Sequence, residues 1–294
     1  QINKAIPLKN GGWAIGTILN GAYILDASAR LSYQINRANG LQNNTVLSMM
    51  EDMDGNLWLG LDKGVDFVAL QSPLTFFNDQ TGKIGAVYTA VQWADRLYLG
   101  TNQGVFVRTA FQNGQSEFKL VEGTQGQVWN LQVFDDQLIC GHNTGTFIIE
   151  KNNTTRKISD VTGGWCTLQA PGNAGILIQS TYTGLIVFKK NEAGQWQFFQ
   201  RITGFVEPLK KAVFDTLGNL WGVHPYRGLF RLRLSDDWSK VVEFRAYTRE
   251  DKLSSDFKLG LTRMGNKIVV NTDPVPCRIE LSGDQATFVP LTDP

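Results

Sequence analysis

Apolar and polar positions along this chain follow a short-period pattern. Val46–Glu51 reads as an apolar strand ending in acid, Asn56–Leu61 as a strand carrying Trp58, and Val65–Leu70 as a third strand. Asp54-Gly55 lies between the first two, and the spacing predicts a tight type I′ hairpin turn there. Gly60 and Gly64 bracket the second turn. Elsewhere, Val105-Phe106-Val107 and Leu229–Leu234 show the alternation of half-buried strands, the latter placing Arg231 and Arg233 on one side.

The strand–glycine turn–strand unit recurs along the chain. Copies span Trp13–Leu25, Trp58–Val68, Leu97–Val107, Leu138–Ile149, Ile176–Phe188, Leu220–Leu232 and Lys267–Leu281, the last without its glycines. The second turn glycines are Gly21, Gly64, Gly104, Gly145, Gly184 and Gly228, at intervals of 43, 40, 41, 39 and 44 residues. A strand precedes each unit (Gln1–Leu8, Val46–Glu51, Val87–Trp93, Val128–Phe134, Trp165–Ala170, Lys210–Asp215, Phe257–Met264). A further strand follows six of them (Arg30–Ile35, Leu74–Asn78, Glu117–Val121, Trp196–Arg201, Val241–Tyr247, Thr287–Leu291). A repeat of about 40–45 residues with four strands is the signature of propeller blades. The fold class predicted is therefore all-β: a seven-bladed β-propeller of four-stranded antiparallel blades, strands A to D running outward. Six blades plus an irregular remainder is the alternative, because the seventh copy is degenerate.

Each blade reads as contiguous, with no strand exchanged between the two ends. The connections recur as well: Asn39–Asn44 parallels Asp251–Asp256, both polar loops centred on a leucine. No linker or low-complexity stretch interrupts the array, so residues 1–294 read as one domain. Its core is expected between neighbouring sheets and filled by Trp13, Trp58, Trp221, Phe67, Phe106, Phe147, Phe188 and Phe230. Burying one such ring contributes about 1.5–3 kcal/mol, too little for a blade alone to offset its ordering entropy.

Asp52, Gly55, Asn56, Leu57, Trp58, Leu59, Gly60 and Gly64 resemble the two-component regulator propeller repeat. The family has Thr after its W-[IL]-G; Leu61 stands there, whereas Gly16-Thr17 and Gly100-Thr101 restore it in other copies. The resemblance implies the extracytoplasmic sensor region of a hybrid two-component or related transcription-regulating receptor, as in gut Bacteroidetes. It implies a periplasmic address, a membrane-anchored parent of which this chain is one part, and kinase or regulator activity outside this chain. Neighbouring segments of that receptor, and a second copy of the chain, are the protein partners it suggests.

Composition narrows the rest. With 28 basic and 27 acidic residues the formal charge is +1, so no overall field draws the chain to nucleic acid or to an acidic membrane surface. No apolar run approaches the roughly 18 residues of a spanning helix, and no signal peptide opens the chain. Cys140, Cys166 and Cys277 are odd in number and lack C-x-x-C spacing; buried thiols and one disulfide both stay open.

Catalytic and metal chemistry is sparse. Asp52-x-Asp54-x-Asn56 has calcium-loop character, but Gly55 precedes the third candidate ligand and a strand follows, so a hairpin turn is expected. Asp215–Asn219 repeats the turn with Leu217 in place of the middle acid. The two histidines, His142 and His224, fall in equivalent B–C turns and cannot alone make a metal site. No nucleophile elbow, phosphate-binding loop or dinucleotide fingerprint occurs. The chain is read as a non-enzyme with no cofactor and no metal; the rival is a propeller lyase or glycan hydrolase using His142, His224, Tyr182 and Tyr226.

In a propeller the B–C turns and D–A links share one face. That face would gather Asn102, His142, Tyr182, His224, Tyr226 and Arg227, with Trp129, Trp165, Lys210 and Tyr88 at the starts of A strands. Aromatic rings cover the apolar faces of sugars, and the polar groups suit hydroxyls or carboxylates. The expected ligand is an oligosaccharide or other small nutrient. Polar turns also occur simply because they meet water, and Trp129 and Trp165 suit a core equally well. A pure interaction scaffold is the third reading, marked by a large apolar patch.

Overall fold

The computed structural model describes residues 1–294 except 73, 75–78, 80–81, 111–115, 274, 284 and 292–294. Every sheet is an antiparallel meander of sequential strands. The first holds β1 (Ile2–Pro7), β2 (Trp13–Thr17), β3 (Ala22–Leu25) and β4 (Leu31–Ile35). The second holds β5 (Val46–Glu51), β6 (Leu57–Leu61) and β7 (Val65–Val68). The third holds β8 (Val87–Trp93), β9 (Arg96–Thr101), β10 (Val105–Ala110) and β11 (Ser116–Leu120). The fourth is β12 (Val128–Phe134), β13 (Gln137–His142), β14 (Gly145–Ile149) and β15 (Thr155–Ser159). The fifth is β16 (Cys166–Ala170), β17 (Asn173–Thr181), β18 (Gly184–Lys190) and β19 (Trp196–Ile202). The sixth is β20 (Lys211–Phe214), β21 (Leu220–Val223), β22 (Leu229–Leu234) and β23 (Val241–Tyr247). The seventh is β24 (Gly260–Met264), β25 (Lys267–Asn271), β26 (Cys277–Ser282) and β27 (Gln285–Pro290).

These seven sheets are the blades of a β-propeller fold. The seventh copy forms a complete four-stranded sheet without its turn glycines, so the six-blade alternative falls away. The fourth sheet gains an outer strand, β15, that the hydrophobic pattern left unassigned: in TRKIS a single aliphatic residue carries the signal. The expected strand Leu74–Asn78 lies, beyond Leu74, outside the described residues.

Contacts divide the chain into two compact units, residues 1–85 with 108–119, and residues 86–107 with 120–294. In the first unit Ala14, Ala22, Ile24, Val46, Leu57 and Leu59 form a core between the first two sheets. Gly16 permits their approach, since a Cβ there would lie 2.7 Å from a Val46 methyl. In the second unit four apolar layers fill the spaces between successive sheets. Tyr98 and Val107 meet Leu131 and Cys140; Ile139 and Ile148 meet Phe188 and Trp196; Ile178 and Val187 meet Phe214 and Phe230; Trp221 and Tyr247 meet Leu261 and Val270.

Two expectations about the turns and rings need correction. Asp54 does not take positive φ; Gly55 alone does, at 79°, so the turn is not type I′. Its shape is set by Asp52 Oδ1, which accepts from the amides of Asp54 and Asn56. Turns with two successive positive-φ residues occur instead at Ala94-Asp95 and Asp135-Asp136, where no glycine announces them. Trp13, Trp58 and Phe67 are exposed rather than core. Trp58 alternates with the buried Leu57, Leu59 and Leu61, so it stands on the opposite face, edge-on to Phe67 at 5.1 Å. Trp221, Phe106, Phe188 and Phe230 are buried as expected, and Phe147 packs against a core while partly exposed.

Candidate functional site

One backbone contact, repeated in several blades, ties the B–C turn to the residues before the A strand. The amides of Asn102, Asn143 and Tyr182 donate to the carbonyls of Ala86, Gln127 and Thr162. Within the first unit the Asp62 amide donates likewise to Thr45. The turn glycines make this possible. All six take positive φ, and at Gly145 and Gly228 a Cβ would strike the outer-strand carbonyls of Ser159 and Tyr247 at 2.1 and 2.3 Å. Where threonine ends the B strand, its hydroxyl clamps the turn: Thr101 and Thr181 Oγ1 donate to the carbonyls of Gly104 and Gly184. B–C turns and A-strand starts therefore share one edge of each sheet, as required for the expected face.

On that edge the second unit assembles an aromatic strip. Tyr88 stacks on Trp129 at 5.2 Å, Trp129 meets Trp165 edge-on at 6.0 Å, and Trp165 meets Tyr182 edge-on at 5.4 Å. Trp129 Nε1 donates to the Tyr182 hydroxyl at 2.8 Å, leaving the hydroxyl proton free to donate elsewhere. Gly163 seats Tyr182: a Cβ there would lie 2.2 Å from its ring. Tyr88 is exposed, while Trp129, Trp165 and Tyr182 are half-buried. Trp165 Nε1 is buried without a hydrogen-bond partner among the described residues. Trp165 precedes β16 rather than starting it, its amide bonded to the Ser180 carbonyl. Asn102 is turned to the backbone, its Oδ1 accepting from the Ala86 amide at 2.7 Å.

A second cluster forms around the loop His224–Gly228. His224 is 8% exposed and lies beneath the tip. Its Nδ1 accepts from the Tyr226 amide at 3.0 Å, and its Nε2 lies 3.3 Å from Glu207 Oε2. Arg227 donates to the other Glu207 oxygen at 2.8 Å. Burial lowers the His224 imidazole below its ordinary value; Glu207 opposes this and Arg227 adds to it. The loop thus presents Tyr226, 79% exposed, with Arg227 beside it. Glu207 was not among the residues singled out in the sequence: it stands in a D–A link between Val206 and Pro208 with no motif around it.

The other histidine is similarly tied to its own turn. His142 Nδ1 accepts from the Thr144 amide at 3.1 Å, and the ring stands edge-on to Phe147. Burial lowers its imidazole too; the Thr124 and Gln125 carbonyls pull upward and the Lys157 charge downward. Lys210 is exposed, its amide bonded to the Val223 carbonyl. The structure therefore brings together Trp129, Trp165 and Tyr182 in one group and His224, Tyr226 and Arg227 in another. The Asp52 turn uses its oxygens internally: besides two amides, Trp58 Nε1 donates to Oδ2 at 3.0 Å. Asp215 does the same for Trp221.

Comparison with known proteins adds one short family match and a shared fold. Residues 40–63 match the family model of the two component regulator propeller. No curated protein sequence matches the chain. Among solved structures, the chain is similar to the extracellular domain of a protein described as a hybrid two component system from B. thetaiotaomicron, with 16% identity and a TM-score of 0.55. A second structure, described as the extracellular domain of a one component system from the same organism, gives 15% identity and a TM-score of 0.53. Each match covers 99% of this chain but 43% of the other, so the chain spans less than half the length of these relatives. Virginiamycin B lyase from Staphylococcus aureus matches at 12% identity over 92% of this chain and 91% of its own, with a TM-score of 0.46.

Proposed function

We propose that this chain is a sensing and interaction module of a bacterial signal-transduction receptor, lying outside the cytoplasm in the periplasm, and that it responds to a glycan or similar nutrient. The observation that carries the reading is the regulator-propeller repeat at residues 40–63. No helix among the described residues is long and apolar enough to cross a membrane, so anchoring and output are assigned to other segments of the parent. The ligand class rests on the aromatic strip: ring faces suited to the apolar side of a sugar, with the Tyr182 hydroxyl as donor beside them. Signalling would follow from a difference in ligand affinity between two arrangements of the receptor, since a ligand shifts an equilibrium only by that difference.

The non-enzyme reading is supported by the histidines. Each has Nδ1 engaged by an amide of its own turn, and His224 Nε2 faces a carboxylate already shared with Arg227. The test is calorimetric titration against neutral and acidic oligosaccharides, with Tyr182→Phe and Trp129→Ala as comparators. Saturable heat that weakens in both variants supports the reading. Heat that is indifferent to both moves the ligand off the strip, and no binding across the panel leaves protein partners as the module's role.

A further inference from the structure

A groove of about 680 Å³ opens between the outer parts of the first and second sheets, within the first compact unit. The strand registers show how its walls are made. Tyr33 and Ile35 of β4 pair with Ile24 and Ala22 of β3, which belong to the core shared by the two sheets, so both side chains are turned to the second sheet. Asp66 and Val68 of β7 pair with Leu59 and Leu57, members of the same core, so both are turned to the first. Leu41, buried in that core, and Leu70, packed against it, complete the apolar lining.

One charge stands in this lining. Asp66 is the sole charged side chain among the described residues that line the groove. It is half-buried, its Oδ2 accepts from the Gln42 amide at 2.8 Å, and its Oδ1 accepts from Gln42 Nε2. Gln42 thus fixes the orientation of the carboxylate without neutralising it, and no lysine or arginine forms an ion pair with Asp66 among the described residues. A carboxylate accepts about four hydrogen bonds, so accepting capacity is left for a further donor. Tyr33 is 39% exposed, and burial pushes its phenol up, the mark of a wall partly out of water. The volume falls within the range of about 300–1,000 Å³ typical of small-molecule sites. A carboxylate held by neutral donors, an aromatic ring and aliphatic walls together suit an ammonium attached to an apolar body.

We propose that the groove between β4 and β7 is a second ligand site, taking a small organic amine whose ammonium is held by Asp66 and whose apolar part lies against Tyr33, Ile35 and Val68. The proposal does not depend on the sensor reading or on a glycan at the strip. It gives the site a charge selectivity: an ammonium binds best, a hydroxyl in its place binds less well, and a carboxylate is repelled.

2-Phenylethylamine is the probe, with 2-phenylethanol and phenylacetate as its neutral and anionic counterparts, and backbone amide shifts are followed in the 294-residue chain. The amine is expected to shift signals of residues 33–35, 41–42 and 66–70 saturably, with Kd of the order of 1 mM. The alcohol should bind roughly tenfold more weakly, and phenylacetate more weakly still. Asp66→Asn should bring the amine down to the affinity of the alcohol and leave the alcohol unchanged, a loss of selectivity that damage to the fold would not produce. Tyr33→Ala should weaken amine and alcohol alike. Signals of the other five sheets report whether each variant is folded. Shifts scattered over surface carboxylates, equal binding of amine and alcohol, or a preference for the amine that survives Asp66→Asn would overturn the proposal. So would the absence of saturable shifts at Kd values up to about 20 mM.

Discussion

Replacing Asp215 by alanine removes four hydrogen bonds at once, and the structure says which can be replaced. Oδ1 accepts from the amides of Leu217 and Asn219 at 2.9 and 2.8 Å. Oδ2 accepts from Asn219 Nδ2 and Trp221 Nε1, both at 2.9 Å. Leu217 is exposed, so water can serve its amide. Trp221 is fully buried, stacked on Tyr247 at 5.5 Å, and its indole N–H would be stranded. Asn219 is buried as well. A stranded buried donor costs about 1–3 kcal/mol, and two of them, partly relieved by relaxation, give an expected loss of about 2–4 kcal/mol for Asp215→Ala. Asp52 provides the control within the same chain. It makes the corresponding four contacts, but its tryptophan, Trp58, is 41% exposed and can find water. Asp52→Ala should therefore cost less than half as much. Urea denaturation of both variants is the assay, with Trp221→Phe completing a double-mutant cycle around Asp215. The expected coupling between Asp215 and Trp221 is about 1–2 kcal/mol. Equal losses at the two aspartates, or a coupling within about 0.3 kcal/mol of zero, would refute the argument that burial of the indole sets the cost.

Gly163→Ala should push the Tyr182 ring off its seat and break the Trp129–Tyr182 bond, seen as a change in tryptophan emission with little loss of far-ultraviolet signal; an unchanged spectrum would remove Gly163 from the strip. His224 should be neutral at pH 7 with its proton on Nε2, visible in imidazole nitrogen spectra. Because its folded-state value lies below the unfolded value of about 6.5, its contribution to stability is complete above that value and falls away as pH drops through the folded one. A titration midpoint at or above about 6.5 would contradict the geometry. Asp237 is held at about 2 by the Ser235 and Ser239 hydroxyls and the Ser239 amide. Its carboxyl carbon should titrate there rather than near about 3.9, and the stability it lends is lost only as pH falls from the higher value through the lower.

The repeat was legible because six copies turn through the same backbone conformation. All six turn glycines take positive φ, and at Gly21, Gly145 and Gly228 a Cβ would also strike the last carbonyl of the outer strand, so glycine returns and the interval between copies counts the blades. The connector was legible for a similar reason. Leu41 and Leu253 are both buried, their amides donate to Asn36 and Thr248, and the side chains of Asn44 and Asp256 accept from Arg37 and Arg249. Where a solution needs no special residue, the sequence is silent. The outer strand β15 has only one of its edges paired, so polar residues serve it and leave no alternation. The turns at Ala94-Asp95 and Asp135-Asp136 take two positive φ values without glycine, being short links between firmly paired strand ends.

The site was legible as a set of positions but not as roles. Period and turn placed His224, Tyr226 and Arg227 on one loop as a group. The structure separates them: His224 is the buried post whose Nδ1 accepts from the Tyr226 amide, and the exposed residues are the tyrosine and the arginine. The separation depends on Glu207, which meets both His224 and Arg227 from a blade connection. A carboxylate 17 residues before its histidine, in a link without turn signature, cannot be paired with it from spacing. The aromatic strip differs because its members lie at the same end of successive copies. Trp129 stands second in β12 and Trp165 immediately before β16, and the bond from the Tyr182 amide to the Thr162 carbonyl fixes the turn beside them. A repeat array thus reveals those parts of a surface that are built by repetition, whereas a group supplied once, such as Glu207, becomes visible only when the blades are set side by side.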